Sequence, residues 1–172
     1  MTQVEIRDSV VYIDIWVERP TQAVAEEFRA LFEHDPEAAQ EQEQAFARAN
    51  FDRMAQAVTV TLGGEELALN WEPGPLVNNG LGNEEFFSWA IVATAPVPGE
   101  RTELDLRIEN RLFEDEHIYL SCYVELDGGW GVEFDSVRAT LKSSGEAVRA
   151  ERAGVSWTSD PSARSWELRL RR

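Results

Sequence analysis

Glu114, Asp115, Glu116 and His117 place three carboxylates and an imidazole at consecutive positions of the chain. Oxygen-rich loops of this kind can bind calcium, and Asp127 would add a further carboxylate if the flanking strands fold back on each other. The ligand order of an EF-hand is absent, and adjacent residues of a strand point to opposite faces, so a solvated turn is the favoured interpretation. The metal candidates are therefore Glu114, Glu116, His117 and Asp127, with calcium as the candidate ion and no other cofactor indicated.

Trp130 is the first candidate for ligand binding. It lies between glycines in the segment 127–131, so a large ring is placed at a turn. Carbohydrate-binding β-sandwiches use exposed aromatic rings as flat platforms for sugars, and two or more exposed coplanar tryptophans would favour that function. Core packing is the favoured role for any single tryptophan, because aromatic side chains commonly fill a sheet face.

Asn78, Asn79 and Asn83 are the other candidates for ligand binding. They lie in the segment 72–84, whose glycine, proline and asparagine content predicts the longest loop of the chain. Long loops in compact domains often contact ligands or act as lids. The alternative is a flexible connector.

Residues suited to catalysis are few. His34 and His117 are the only histidines, and Cys122 falls among alternating apolar residues, as expected for a small buried side chain. No nucleophile elbow, phosphate-binding glycine loop or His-Glu-x-x-His motif occurs. The sequence therefore favours binding over catalysis, without excluding an enzyme.

The net charge of −16 excludes function classes that depend on a basic surface. Nucleic acids and anionic membranes would be repelled, and no apolar stretch is long enough to insert into a bilayer. Three interpretations remain: a solvated surface, a partner surface for a basic protein (as in an immunity protein or nucleic-acid mimic), and cation binding. No signal-peptide-like segment follows Met1, which predicts a cytoplasmic location for the sequence as it stands.

Hydrophobic periodicity predicts one strand, two helices and then strands to the end of the chain. Residues 9–18 alternate as a strand, and the helical segment covers about 21–57, with Thr21 and Asp35 as predicted N-caps and Pro36 at the first turn of the second helix. Beyond Ala57 the period is two, with Gly63-Gly64 as a hairpin turn. The further strands are predicted at about 58–62, 67–71, 85–95, 101–109, 116–126, 131–141, 146–153 and 165–171.

These elements predict an α+β, mostly β fold in one domain, residues 1–172. We expect an antiparallel β-sandwich or strongly curved sheet, with the N-terminal strand and two helices packed on one side. Consecutive hairpins need only short connections, whereas parallel neighbours require a long crossover.

The sequence also resembles a known family. The segments 58–69, 96–98, 104–120 and 127–129 resemble the extracytoplasmic β-domain of hydrogenase/urease accessory nickel-permease-like proteins. The chain departs from that family in having no membrane helices, and only 34–37 stands where some members carry an aspartate-rich loop. The resemblance implies an accessory or sensing domain outside the cytoplasm, and it implies neither transport nor metal-binding residues.

The sequence thus predicts an acidic β-domain that binds a protein or a small ligand. One alternative is a small-molecule carrier or enzyme with a pocket between the sheet and the helices, and another is a carbohydrate-binding sandwich. A cavity of several hundred cubic ångströms would favour the carrier. A solid core would favour the interaction domain, and its predicted members are Ile13, Ile15, Leu69, Ile91, Leu106 and Leu120.

Overall fold

The computed structural model describes residues 1–32, 37–80, 85–99, 101–113, 121–133, 146–151, 154–158 and 164–172. For 75–80, 85–87, 121, 146–151 and 154–158 the description covers the backbone alone. The elements are β1 (Thr2–Arg7), β2 (Val10–Pro20), α1 (Thr21–Leu31), α2 (Ala39–Ala57), β3 (Val58–Leu62), β4 (Glu65–Glu66), β5 (Asn70–Gly80), β6 (Glu85–Pro96), β7 (Glu103–Asn110), β8 (Ser121–Leu126), β9 (Gly131–Val132), β10 (Glu146–Glu151), β11 (Gly154–Thr158) and β12 (Ser165–Arg171).

Within these ranges the strands form two sheets. The large sheet has seven strands in the order β10-β11-β8-β1-β2-β6-β5, and the small sheet has five in the order β4-β3-β7-β12-β9. Neighbouring strands are antiparallel except β1 and β8, which run parallel. The predicted α+β, mostly β and sandwich-like fold is confirmed. The parallel pair needs no dedicated crossover helix, because most of the chain lies between its two strands.

The core lies between the two sheets and extends under the helices. Of its predicted members, Ile13, Ile15, Ile91 and Leu106 are buried and Leu69 is partly buried, while Leu120 lies outside the described residues. Successive side chains of a strand point to opposite faces of the sheet, so apolar residues at every second position face the core.

A buried side-chain hydrogen bond joins one sheet to the other, and a second, local one supports it. The Asn110 side-chain nitrogen at the end of β7 donates to Thr2 Oγ1 in β1 over 2.9 Å, and its Oδ1 accepts from the Leu112 amide at 2.8 Å. Asn110 and Thr2 are both almost fully buried. Because a buried polar group costs free energy unless it is hydrogen-bonded, this contact favours one arrangement of the sheets.

The N-terminal strand β1 was absent from the predicted elements. Val4 and Ile6 are buried, whereas Gln3 and Glu5, which alternate with them, are only partly so. A two-residue turn, with Asp8 at a φ of 45°, connects β1 to β2, and the pairing Arg7 with Val10 closes it. The alternation from Gln3 to Arg7 was a usable signal for this strand.

The predicted loop at 72–84 is wrong for its first part, because β5 runs from Asn70 to Gly80 as the edge strand of the large sheet. Proline lacks an amide donor, but an edge strand or bulge tolerates it. The register shifts between Pro73 and Leu76, and a Cβ on Gly74 would lie 2.8 Å from the Ala90 carbonyl oxygen. The residues that indicated a loop therefore form an irregular strand.

The helix starts also differ from the predictions. Pro20 holds the N-cap position of α1 without a side-chain hydrogen bond, and Thr21 Oγ1 is buried with no partner within the part of the chain that is described. Helix α2 begins at Ala39 and ends at the predicted Ala57. The predicted cap Asp35 and Pro36 lie outside the described residues.

The other predicted strands are found with shifted ends. The predicted hairpin turn at Gly63-Gly64 is found, and the Leu67 amide donates to the Val60 carbonyl over 2.9 Å. The rest of the predicted return strand 67–71 is wrong, because the chain leaves β3 after Leu67 and enters the large sheet at Asn70. In the predicted strands 116–126 and 131–141, the described parts are β8 and β9.

Candidate functional site

Three of the four predicted calcium ligands, Glu114, Glu116 and His117, lie outside the described residues, so the calcium site stays a prediction. Asp127 is exposed in the turn after β8, where its Oδ1 accepts a hydrogen bond from the Gly128 amide at 2.7 Å. The described ranges contain no group of three or more metal-ligating side chains. For Asp127 the geometry is that of a residue stabilising its own turn.

Asn78 and Asn79 are placed by their backbone alone, in β5 opposite Phe87 and Phe86 of β6. Asn83 lies outside the described residues. Their predicted role in ligand binding therefore stays a prediction, although Asn78 and Asn79 belong to a strand and not to a loop.

Trp130 is buried, with an exposed fraction of 5%. Its indole nitrogen donates to the Asp8 carbonyl over 3.3 Å, and the Arg172 guanidinium carbon lies 5.9 Å from the ring centroid. Trp89 and Trp166 are buried as well, while Trp16 and Trp71 are half-buried. The surroundings of Trp130 thus fit a residue that joins the turn after β8 to the β1–β2 turn.

Cys122 is 1% exposed in β8, and burial raises the pKa of its thiol. A thiol in such surroundings stays protonated and is a poor nucleophile. His34, like His117, lies outside the described residues.

An apolar cleft lies between the two helices and the end of strand β6. It has a volume of about 480 Å³ and is lined by Val24, Ala25, Phe28, Arg29, Glu43, Phe46, Ala47 and Trp89. Val24, Phe46 and Trp89 are buried at its base, while Arg29, Glu43 and Ala47 are exposed at its rim. This volume falls in the range of small-molecule sites.

The helical period creates the wall of the cleft. Val24 and Phe28 are four residues apart in α1, so they share one face, and Phe46 of α2 meets them from the other side. The rings of Phe28 and Phe46 are 5.3 Å apart between centroids and nearly perpendicular, at 72°. Edge-to-face contacts of this kind are favourable, so the wall is a packed aromatic surface.

Trp89 lies between this cleft and a smaller hollow. The second hollow, about 80 Å³, is lined in part by Phe51, Met54 and Gly74, and it shares Ala47 and Trp89 with the cleft.

An ion triad fixes the helices beside the sheet. Glu27 of α1 forms ion pairs with Arg19 at the end of β2 and with Arg53 of α2, the latter at 2.6 Å. Both guanidiniums also lie over the Phe113 ring, at 4.7 and 5.8 Å from its centroid. Partial burial opposes ionisation of Glu27, but the two guanidiniums outweigh it and lower the pKa of its carboxyl.

A pocket between the sheet and the helices was one of the predicted alternatives, but none of the residues that line the cleft was among the predicted site residues. The sequence indicated Val24, Phe28 and Phe46 as apolar helix positions, but the same spacing is expected of residues packed fully against a sheet. The exposed alanines of α2, Ala45, Ala47 and Ala49, were the available signal, since small side chains leave space beside a neighbouring helix.

Comparisons with protein families, with curated proteins and with solved structures found no significant match to this chain. Neither α1 nor α2, the helices within the described ranges, is long and apolar enough to cross a membrane.

Proposed function

We propose that this chain is a binding protein that holds a small neutral molecule with an apolar body in the helix–sheet cleft. The observation that carries this proposal is the cleft of about 480 Å³ between Val24, Phe28, Phe46 and Trp89. This proposal corresponds to the small-molecule carrier that the sequence analysis gave as an alternative. The binding cavity lies beside α1 and α2, and not inside a curled sheet.

The lining favours an aromatic or short aliphatic body. Burial of apolar surface supplies roughly 25 cal/mol per Å², and the rings of Phe28, Phe46 and Trp89 provide flat surfaces for it. Arg29 and Glu43 at the rim carry opposite charges, so the rim favours no net charge on the ligand. Either side chain can hydrogen-bond a polar end group that faces solvent.

The ion triad supports a cleft that exists before the ligand arrives. Arg19 of β2 and Arg53 of α2 both form ion pairs with Glu27 of α1. These pairs hold α1 against the large sheet and against α2. A preformed site avoids the ordering cost that weakens binding by mobile elements.

The test is a titration with Nile red, a neutral apolar dye, followed by competition with indole and with 1-octanol. Ala47 lines the cleft and Ala45 does not, yet both are exposed alanines of α2. Ala47→Phe should therefore fill the cleft and weaken dye binding at least about tenfold, equivalent to about 1.4 kcal/mol. Ala45→Phe adds the same ring elsewhere on the helix and should bind like the wild type.

Failure of the wild type to bind any of the three probes would overturn the proposal, as would equal binding by both variants. Circular dichroism and thermal melting of each variant separate a filled cleft from a misfolded chain. The resemblance to an extracytoplasmic accessory domain would make this a sensing or accessory role, and it stays a prediction.

A further inference from the structure

The outer face of the large sheet combines many carboxylates with exposed apolar side chains. Alternation turns Gln3, Glu5 and Arg7 of β1 outward, and the strand register extends this face in rows. One row runs Asn70, Thr94, Tyr12, Glu5 and Glu125, and the next runs Glu72, Val92, Asp14, Gln3 and Tyr123.

This face is acidic between β5 and β8. Its carboxylates are Glu5, Asp14, Glu18, Glu72 and Glu125, and Arg7, which pairs with Glu5, is the basic side chain on this part of the sheet. Glu5 and Glu125 are neighbours in the register, an unfavourable position for two like charges. On the other side of β8, the backbone register continues the row of Tyr123 through Ser156 of β11 to Arg149 of β10. These two strands lie beyond the acidic part of the face.

The same face exposes apolar surface. Tyr12 is 41% exposed and Val92 is 38% exposed, and Met1, which precedes Thr2 and so faces outward like Gln3, is 49% exposed. Between Tyr12 and Val92 lies a hollow of about 270 Å³. Exposed apolar side chains that lie close together mark interaction surfaces when they form a patch, and the surrounding carboxylates would then form its polar rim.

Asp14 lies in this hollow with an incomplete set of contacts. Its Oδ1 is shielded from solvent and accepts no hydrogen bond from the described residues. Desolvation raises the pKa of the Asp14 carboxyl, and the nearby Met1 ammonium only partly offsets this shift. An incoming cation would supply the missing partner and remove that cost.

The small sheet shows what a self-contained outer face looks like in the same molecule. There Arg169 Nε lies 2.9 Å from Asp105 Oδ1, and Arg171 Nη2 lies 2.6 Å from Glu103 Oε1, across the β7–β12 pairing. Opposite charges therefore alternate between neighbouring strands. The large sheet uses the same alternating pattern, but among its described side chains only Arg7 pairs with a carboxylate of the acidic rows. The other cation near these rows is the Met1 ammonium, which interacts with Asp14 and Glu18.

We propose that the outer face of the large sheet, across β5, β6, β2, β1 and β8, is a docking surface for a basic protein. The five strands are separated by four strand spacings, so this face is roughly 19 Å wide. That width is comparable to a small protein–protein interface and far exceeds the size of one bound ion. The partner's chemistry follows from the face: lysine or arginine side chains meet the carboxylates and lie against Tyr12.

Tyr12 already accepts a cation from the chain itself. The guanidinium carbon of Arg7 lies 5.5 Å from the Tyr12 ring centroid, within the range of cation–π attraction. A partner arginine could take a comparable position over the ring. The net charge of −16 would also steer a basic protein toward the chain and raise its association rate at low salt.

The test uses decaarginine as the probe and two variants with the same change in charge. Glu72→Gln/Glu125→Gln removes two exposed carboxylates from the proposed surface, and Glu65→Gln/Glu66→Gln removes two exposed carboxylates from β4 of the small sheet. Calorimetric titration should show the first variant weakened at least about fivefold, and the second within about twofold of the wild type. Tyr12→Ser should weaken binding further at unchanged net charge.

Equal weakening by both double variants would overturn the proposal, because the probe would then respond to total charge alone. Absence of binding would overturn it too, as would a single arginine amide binding as tightly as the peptide, which would indicate a site for a small cation. The cleft variant Ala47→Phe should leave decaarginine binding unchanged. The proposal for this surface and the proposal for the cleft can therefore be tested independently. Thermal melting of every variant checks its fold.

Discussion

The outer faces of the two sheets follow the same strand alternation but use it differently. On the small sheet, arginines of β12 face carboxylates of β7, and the cross-strand pairs Arg169–Asp105 and Arg171–Glu103 neutralise the surface. On the large sheet, carboxylates flank Tyr12 and Val92, and Glu5 and Glu125 are register neighbours. Paired charges suit a face that meets water alone, whereas an excess of carboxylates beside exposed apolar groups suits a face that meets a partner.

The largest expected effect concerns the contact that joins the two sheets. Replacing Asn110 by Ala should lower the free energy of unfolding by about 1–3 kcal/mol, because Thr2 Oγ1 and the Leu112 amide would be left buried without their partner. Chemical denaturation measures this change.

A double-mutant cycle with Thr2→Val sharpens that result. If the Asn110–Thr2 hydrogen bond carries the effect, the two substitutions should be non-additive. Additive changes would show that the contact does not couple the sheets.

The next effect concerns the ion triad beside the cleft. Glu27→Gln should lower the free energy of unfolding by about 1 kcal/mol at neutral pH, because Arg19 and Arg53 lose a shared carboxylate. The pKa of Glu27 is lowered in the folded chain, so its contribution is present above the unfolded-state pKa. It is lost as the pH falls through the folded-state pKa.

Melting curves between about pH 3 and 7 test this sign. The difference between the wild type and Glu27→Gln should shrink toward low pH. A constant difference would show that lost packing, and not ionisation of Glu27, is responsible.

The smallest effect compares the two faces directly. Asp14→Asn should raise the free energy of unfolding at neutral pH by less than about 1 kcal/mol, because the pKa of Asp14 is raised by desolvation and its ionised form therefore costs stability. That cost is present above the folded-state pKa and disappears below the unfolded-state pKa. Asp105→Asn on the small sheet should lower stability slightly, since it removes a solvent-exposed pair with Arg169.

Opposite signs for Asp14→Asn and Asp105→Asn at neutral pH would support the contrast between the faces. The same sign would contradict it. Thermal melting of the two variants beside the wild type is sufficient, because both substitutions remove one negative charge.

The sequence predicted the elements whose pattern depends on local alternation. Strands β2, β3, β6 and β12 and the end of α2 at Ala57 followed from apolar spacing, since their buried residues recur at period two or in helical steps. It failed at β5, where Pro73 and Gly74 indicated a loop and the edge position of the strand permits both residues.

Both proposed surfaces depend on contacts that are distant in the chain. Phe28, Phe46 and Trp89 meet only when α1, α2 and β6 are packed together, and Glu5 and Glu125 meet only through the β1–β8 pairing. Local periodicity carries no information about such neighbours. Trp130 shows the converse, because its turn context made it a ligand-binding candidate, whereas the folded chain buries its ring and brings Asp8 and Arg172 into contact with it.

The most direct measurement is a nuclear magnetic resonance titration of the ¹⁵N-labelled chain with decaarginine. The largest chemical-shift changes are expected at amides of the large-sheet face, namely Gln3, Glu5, Tyr12, Asp14 and Val92. Little change is expected at Glu103, Asp105, Arg169 and Arg171 of the small sheet. Changes centred on β7 and β12, or spread evenly over acidic residues of the whole surface, would contradict the difference between the two faces.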